Sequence, residues 1–313
     1  IIVIVLLVSG YSFGQGWAPA GSRSRGMGDA SVTLQDVWAY HHNPASLVGV
    51  TKLGIGIAYE NRFLLKELQT QSMSIAIPLK KGVLSVGAQS FGYTQFRSMK
   101  AGVGYSLKLS DILALGVQMN LHQIRLGQGY GNVLKATGEA GLLAQVNPKW
   151  NIGFAVVNFS RVKLSAYQED RLTTVMRLGS SFKFSDKLLV CVEGEKNVDF
   201  PLRGKAGIEY SPITHLSFRS GFSTQPIEVN AGVGYAFKGI YFLDFGSAFT
   251  QQLGWSTARR LWAELRRRCP ARQAGRTRPV CVGRAATGVP RRPHTCVPPE
   301  RASARWARAG AHT

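Results

Sequence analysis

The sequence predicts an all-β chain, an antiparallel transmembrane β-barrel of fourteen strands. Three observations carry that expectation: ten-residue runs with a period of two, turns that alternate short and long, and polar residues on one strand parity. Period two marks strands, because successive side chains point to opposite faces. In 100–108, Ala101, Val103, Tyr105 and Leu107 share one face, and Lys100, Gly102, Gly104, Ser106 and Lys108 the other. Leu113 to Leu121 and Val229 to Phe237 separate in the same way.

A soluble sandwich would alternate too, so the turns and the second face must decide. Short polar turns recur near 80–82, 110–111, 147–149, 185–187, 211–214 and 238–239. Each is followed within a few residues by an apolar-x-apolar run reaching a glycine, as in LSVG, LALG, NIG, CVEG, FRSG and LDFG. Longer connections fall between them, near 61–67, 93–97, 127–132, 160–170, 196–201 and 223–226. Short turns at one end and longer loops at the other is the layout of bacterial outer-membrane barrels. The parity expected to face inward holds charge at Lys100, Glu139, Arg177, Glu193, Glu195, Arg203, Lys205 and Glu209, where a sandwich would be apolar. Cross-lumen pairing of these charges is the simpler reading; a substrate path is the other.

Thirteen strands can be read: near 51–60, 68–79, 83–92, 98–108, 112–125, 134–146, 150–158, 171–184, 188–195, 202–210, 216–222, 227–237 and 240–249. A single-chain bacterial barrel needs an even number. The fourteenth should begin at Leu253-Gly254-Trp255-Ser256, yet ARRLWAELRRRCP follows, with Arg at both parities. A lipid-facing Arg at the bilayer midplane costs about 2–4 kcal/mol. The barrel is therefore expected over 50–255, with 256–313 an aberrant, disordered tail that leaves it unable to close.

Composition points the same way. The net charge of +21 is uneven: residues 252–313 hold 14 Arg, no Lys and 2 Glu. That vocabulary of Arg, Ala, Pro and Gly suits GC-rich codons in an unintended frame, and another frame is expected to encode the closing strand. A nucleic-acid role for the tail is the alternative, but the segment has no helical or strand period and the compartment offers no such partner. Cys269, Cys281 and Cys296 lie there too, without zinc spacing, leaving Cys191 alone in the body.

At the other end, Ile1 to Val8 is an apolar run of signal-peptide length, too short to span a membrane as a helix. Residues 1–16 are expected to be part of a signal peptide; a buried strand is the alternative.

Residues 21–47, GSRSRGMGDASVTLQDVWAYHHNPASL, do not alternate. The order Gly-x-Arg-x-x-Gly-Met-Gly-x-Ala, then an aromatic-rich stretch ending in Asn-Pro-Ala, resembles the N-terminal region of the long-chain fatty acid transporter superfamily. It also looks like the Bacteroidetes branch that includes the PorV and PorQ accessory barrels of type IX secretion. The resemblance covers 21 to about 255. It implies fourteen strands around an N-terminal hatch, here 17–49, with Gly26, Gly28, Asn43, Pro44 and Ala45 as its motif. It also implies passage of hydrophobic small molecules through the outer membrane of a Gram-negative bacterium or, alternatively, a non-conducting barrel that binds secretion-system proteins. Asn-Pro favours a turn, and Gly26 and Gly28 permit tight backbone paths; the segment either gates the lumen or only fills it. His41 and His42 are adjacent and would diverge in an extended segment, so hydrogen bonding or packing suits them better than metal binding. No G-x-S-x-G, P-loop or H-E-x-x-H signature is present, so neither an enzyme nor a cofactor is expected.

Overall fold

The computed structural model describes residues 19–127, 131–163, 172–198, 200–251 and 253–265. The chain divides into two units, Ile1–Arg267 and Arg268–Thr313, and every described residue belongs to the first.

Fourteen antiparallel strands close into a barrel in which each pairs with its sequence neighbours and the last with the first. They are β1 (Leu53–Asn61), β2 (Gln69–Pro78), β3 (Val83–Gly92), β4 (Phe96–Lys108) and β5 (Leu113–Leu126). Next come β6 (Gly131–Asn147), β7 (Trp150–Val157), β8 (Val175–Ser185), β9 (Leu188–Asn197) and β10 (Arg203–Ile213). The last are β11 (Leu216–Ser223), β12 (Glu228–Phe237), β13 (Tyr241–Thr250) and β14 (Gly254–Leu265). The thirteen strands expected from alternation therefore stand within a few residues of their predicted bounds.

The expected break at the end of the barrel is overturned. Residues 256–265 are not tail but most of β14, which runs beside β1 from Leu53↔Leu265 to Asn61↔Thr257 and beside β13 from Tyr241↔Ala263 to Thr250↔Gly254. The two arginines that hid this strand take opposite faces. Arg260 points inward, and its Nε donates to Asp244 Oδ2 at 2.8 Å, while Arg259 points outward. An inward Arg with a carboxylate partner escapes the cost of a charge in hydrocarbon. Just before β1, Lys52 Nζ meets Glu264 Oε2 at 2.8 Å, tying the two strands at the seam. The expected signal peptide over 1–16 and the tail beyond Leu265 lie outside the described residues.

The barrel is inverted relative to a soluble protein. Ile57, Val103, Met119, Leu178, Val192, Leu243 and Phe245 stand exposed on the outward parity, whereas Asn120, Glu139, Arg177, Glu193 and Arg260 are buried on the inward one. That suits hydrocarbon outside. No helix among the described residues is long and apolar enough to cross a membrane. Residues 79–82, 109–112, 148–149, 186–187, 214–215 and 238–240 form the short-turn end, where Leu53 and Leu265 also lie. The longer connections form the opposite end.

Candidate functional site

Residues 19–50 lie inside the barrel, and almost all of them are buried. A short helix, α1 (Ser22–Gly26), opens the segment, and two 3-10 turns follow at Val37–His41 and Pro44–Gly49. Both turns are capped by the residue before them. The Asp36 carboxylate accepts from Trp38 N at 2.9 Å, and the Asn43 side-chain oxygen accepts from Ala45 N at 3.0 Å. Pro44 fits the first helical position, where its missing N–H leaves no bond unmade. The Asn-Pro-Ala motif is thus a capped turn, and Asn43 Nδ2 also donates to Val32 O at 2.9 Å and to Leu142 O of β6 at 3.1 Å.

The first half of the segment is held by charge. Arg23 grips Glu209 of β10 through two parallel bonds, 2.8 and 2.7 Å, and its Nη1 lies 3.3 Å from Asp36. From Glu209 the ion pairs continue through Arg219 at 2.6 Å to Asp244 at 2.5 Å. Arg260 then joins Asp244 at 2.6 Å and Asp36 at 3.4 Å. The result is a closed ring of alternating charge, in which Arg23, Arg219 and Arg260 neutralise Asp36, Asp244 and Glu209. Burial alone would push the Asp36 carboxyl up, but Arg260 and Arg23 outweigh it and hold the group below its ordinary range. The Arg260 guanidinium also lies 5.8 Å from the Trp38 ring centroid and 5.7 Å from that of Trp262, so the ring rests on aromatic faces.

A second group of charges lies alongside. Arg25 pairs with Asp29 at 2.9 Å and Glu228 at 3.2 Å, and Arg203 joins Glu228 at 2.9 Å. Lys205 meets Glu193 at 3.1 Å and Glu195 at 2.7 Å, and Arg177 meets Glu195 at 2.9 Å. Glu193 uses its other oxygen to accept from the backbone N–H groups of Ser31 and Val32, at 2.7 and 2.8 Å. Burial raises and Arg25 lowers the Asp29 carboxyl, and the ion pair prevails, leaving it depressed.

The second half is held without charge. Ser74 donates to Val37 O at 2.8 Å, and the Tyr40 hydroxyl lies 3.1 Å from Gly87 O and 2.9 Å from Asn120 Oδ1. His41 Nε2 meets Met73 O at 3.2 Å, and His42 Nε2 meets Ala20 O at 2.8 Å. Burial pushes the His41 imidazole well below its ordinary range and that of His42 down to about 4, so both are neutral hydrogen-bonding groups. Val37, Trp38, Tyr40 and Leu47 pack with Val50, Ala76 and Val83 in one apolar cluster, and Ala45 packs with Ala114 and Leu143 in another. On this wall Lys100 and Glu139 pair with each other at 2.6 Å.

Glycines make the room. A Cβ on Gly87 would strike the Tyr40 ring, on Gly116 the backbone of Pro44 and Ala45, and on Gly141 the Asn43 side chain. Gly153 and Gly179 lie against Val32, Gly207 and Gly221 against Met27, and Gly246 against Ser22. These inward glycines are adjacent in register at Gly116↔Gly141, Gly153↔Gly179, Gly207↔Gly221 and Gly232↔Gly246, so they form a belt around the segment. Of the two motif glycines, Gly28 has a φ of +66° and its own Cβ would lie 2.8 Å from Phe222 backbone atoms, which only glycine accepts. Gly26 has no such angle; a Cβ there would come 3.1 Å from the Gly232 Cα, a tight approach to the wall.

The sequence-predicted residues thus fall into two places. Gly26, Gly28, Asn43, Pro44 and Ala45 are in the inserted segment, and Lys100, Glu139, Arg177, Lys205 and Glu209 line the wall around it. Asp36, Trp38, Tyr40 and Arg260 were not singled out by sequence, although the aromatic stretch before Asn-Pro-Ala was visible. Cys191 is a buried free thiol. At the short-turn end a cavity of about 480 Å³ opens between the segment and the wall, lined by Arg23, Thr33, Gln35, Gln145, Asn151 and Lys183 among others.

A closed barrel of fourteen strands around an inserted segment has counterparts. The fold resembles that of solved hydrocarbon channels. The CymD monoaromatic hydrocarbon channel superposes with a TM-score of 0.59 at 15% identity, over 79% of this chain and 97% of that one. The Ralstonia pickettii toluene transporter TbuX gives 0.59 at 14%, over 80% and 99%. A Pseudomonas aeruginosa FadL homologue gives 0.53 at 11%, over 77% and 97%. At these identities the likeness speaks for the fold. No protein-family model matches the sequence, and no curated protein does.

Proposed function

We propose that this chain is a non-enzymatic barrel of the Gram-negative outer membrane that passes small hydrophobic molecules, with residues 19–49 as its hatch. One observation carries the reading: the segment is held unequally. Its first half is anchored by buried ion pairs to β9–β14, while its second half meets β2–β6 through neutral hydrogen bonds and apolar contacts. A plug meant only to fill the lumen has no need of a wall that lets go easily. Turning 37–49 away from β3–β6 would join the lumen to the polar cavity beside Gln35 and Gln145. The similar structures include a toluene transporter and a monoaromatic hydrocarbon channel, and they suggest the substrate class. The short-turn end then faces the periplasm.

The test is flux into liposomes of toluene and of a long-chain fatty acid, through the barrel carrying A45C and A114C, two positions in one buried cluster. Oxidation should stop the flux and reduction restore it. Equal flux in both states sinks the hatch. No flux in either state, with secretion-system proteins co-purifying, replaces transport by the accessory-barrel reading.

A further inference from the structure

Arg259 stands on the outward face of β14, with Trp255 and Thr257 on one side of it and Leu261, Ala263 and Leu265 on the other. The other outward charges of the described strands lie next to strand ends: Arg97 is the second residue of β4, Arg125 the last but one of β5 and Lys196 the last but one of β9. Arg259 is well inside its strand. Its register partners are Tyr59 on β1 and Phe245 on β13. Among the described residues it makes no hydrogen bond and no ion pair, in contrast to Arg260 beside it. Around it runs an outer-face groove of about 550 Å³, lined by Ile57, Tyr59, Tyr235, Leu243, Phe245 and Leu261 among others.

A guanidinium in an apolar groove facing the bilayer calls for an anion, and the described strands offer none on that face. The carboxylates of the described strands, Glu60, Glu139, Glu193, Glu195, Glu209, Glu228, Asp244 and Glu264, all point inward. A second copy therefore brings no outward carboxylate of a described strand to this height, which points to the membrane as the source of the anion.

The geometry points to a lipid-binding site on the outer wall at the β13–β14–β1 junction, where Arg259 holds the phosphate of a bilayer lipid and the groove takes its acyl chain. A long guanidinium stem can reach toward the interface while its methylenes stay in hydrocarbon. Tyr59 marks that direction, because its hydroxyl lies 3.4 Å from Gln69 Oε1 and the next residue in register is Gln71 on β2, both polar. The site rests only on the barrel lying in a membrane, so it survives failure of the transport reading.

The experiment uses the full chain, stripped of lipid in detergent and folded as judged by heat-modifiable migration, then given phosphatidylglycerol, diacylglycerol or oleic acid and read by native mass spectrometry. The wild type should keep one phosphatidylglycerol and little diacylglycerol or oleic acid. R259Q should weaken phosphatidylglycerol retention at least tenfold, R259K should keep most of it, and R97Q should leave it unchanged. Equal retention by R259Q, or retention of diacylglycerol as firm as that of phosphatidylglycerol, overturns the proposal; preference for oleic acid overturns the phosphate assignment. If R259Q does not fold, the wild type decides alone: a diazirine-bearing phosphatidylglycerol should crosslink to peptides containing Tyr59 or Phe245. Crosslinks spread evenly around the barrel, or found between two copies in its place, would refute it.

Discussion

The two walls of the lumen hold one segment by different physics. Against β9–β14 the contacts are charged, beside a small apolar cluster of Met27, Ala30 and Leu34 with Cys191: Arg23 with Glu209, Arg25 with Glu228, Asp36 with Arg260, and Glu193 with two backbone N–H groups. Against β2–β6 they are the hydroxyls of Ser74 and Tyr40, the Asn43 amide and the apolar packing of Ala45 and Leu47. A buried ion pair is costly to break from one side, because the partner left behind has neither water nor counter-charge; a neutral hydrogen bond is worth about 1 kcal/mol. On the proposed reading, strength on one side and ease on the other would let the segment swing on its charged side.

The comparison breaks most sharply at Asp36. Asp36→Asn removes one of three carboxylates from the neutral ring and leaves Arg23 and Arg260 in surplus. The expected loss is about 3–5 kcal/mol in the hold on the segment, read as lost hydrogen-exchange protection over 19–36. Unchanged protection there would show that the ring is not the anchor.

Acid should come next, and it should act on the neutral half. Burial holds His42 at about 4, below the ordinary 6.5 of an imidazole, so its contribution is fully present above pH 6.5 and drains away as pH falls toward 4, where a released segment takes the proton. The full swing is about 3 kcal/mol. The depressed Asp36 and Asp29 carboxyls remain charged across that window, so protection over 37–49 should fall before that over 19–36. His41 is held down in the same way, so the pH dependence should shrink in His42→Gln and vanish only when His41→Gln is added; a profile that persists in the double variant would assign it elsewhere.

Gly116→Ala leaves every charge in place and puts a methyl into the backbone of Pro44 and Ala45. Overpacking of that kind costs about 1–3 kcal/mol and should raise hydrocarbon flux. Gly194→Ala is the control, since its nearest neighbours would be 3.9 Å away. If both behave alike, the belt is not what seats the segment. Smallest of all, Tyr40→Phe gives up bonds to Gly87 O and Asn120 and should cost about 1 kcal/mol in thermal unfolding.

Much of this was readable in the chain because period two is a local property. Strands such as 83–92 and 150–157 were visible from their own residues. β14 was not, because Arg260 makes sense only beside Asp244 and beside Asp36, which lies 224 positions away. The same limit hid half the site. LSVG, LALG, NIG, FRSG and LDFG stood out as strand signals, yet that Gly87, Gly116, Gly153, Gly221 and Gly246 seat the segment depends on closure, which brings them to one belt. The glycine of CVEG shows that the motif alone does not suffice, for Gly194 falls on the outward parity. Asp36 was overlooked because an N-cap and an ion-pair hub look alike in sequence: one acidic residue before an aromatic run.

The Asp36–Arg260 contact also orders events in time. Asp36 precedes every strand along the chain, and Arg260 belongs to the last of them. An unfinished barrel therefore lacks the residue that completes the charge ring, and the segment is fully clamped only when β14 meets β1. Sealing the wall and locking its contents become one event, so a truncated chain would reveal itself by a loose N-terminus.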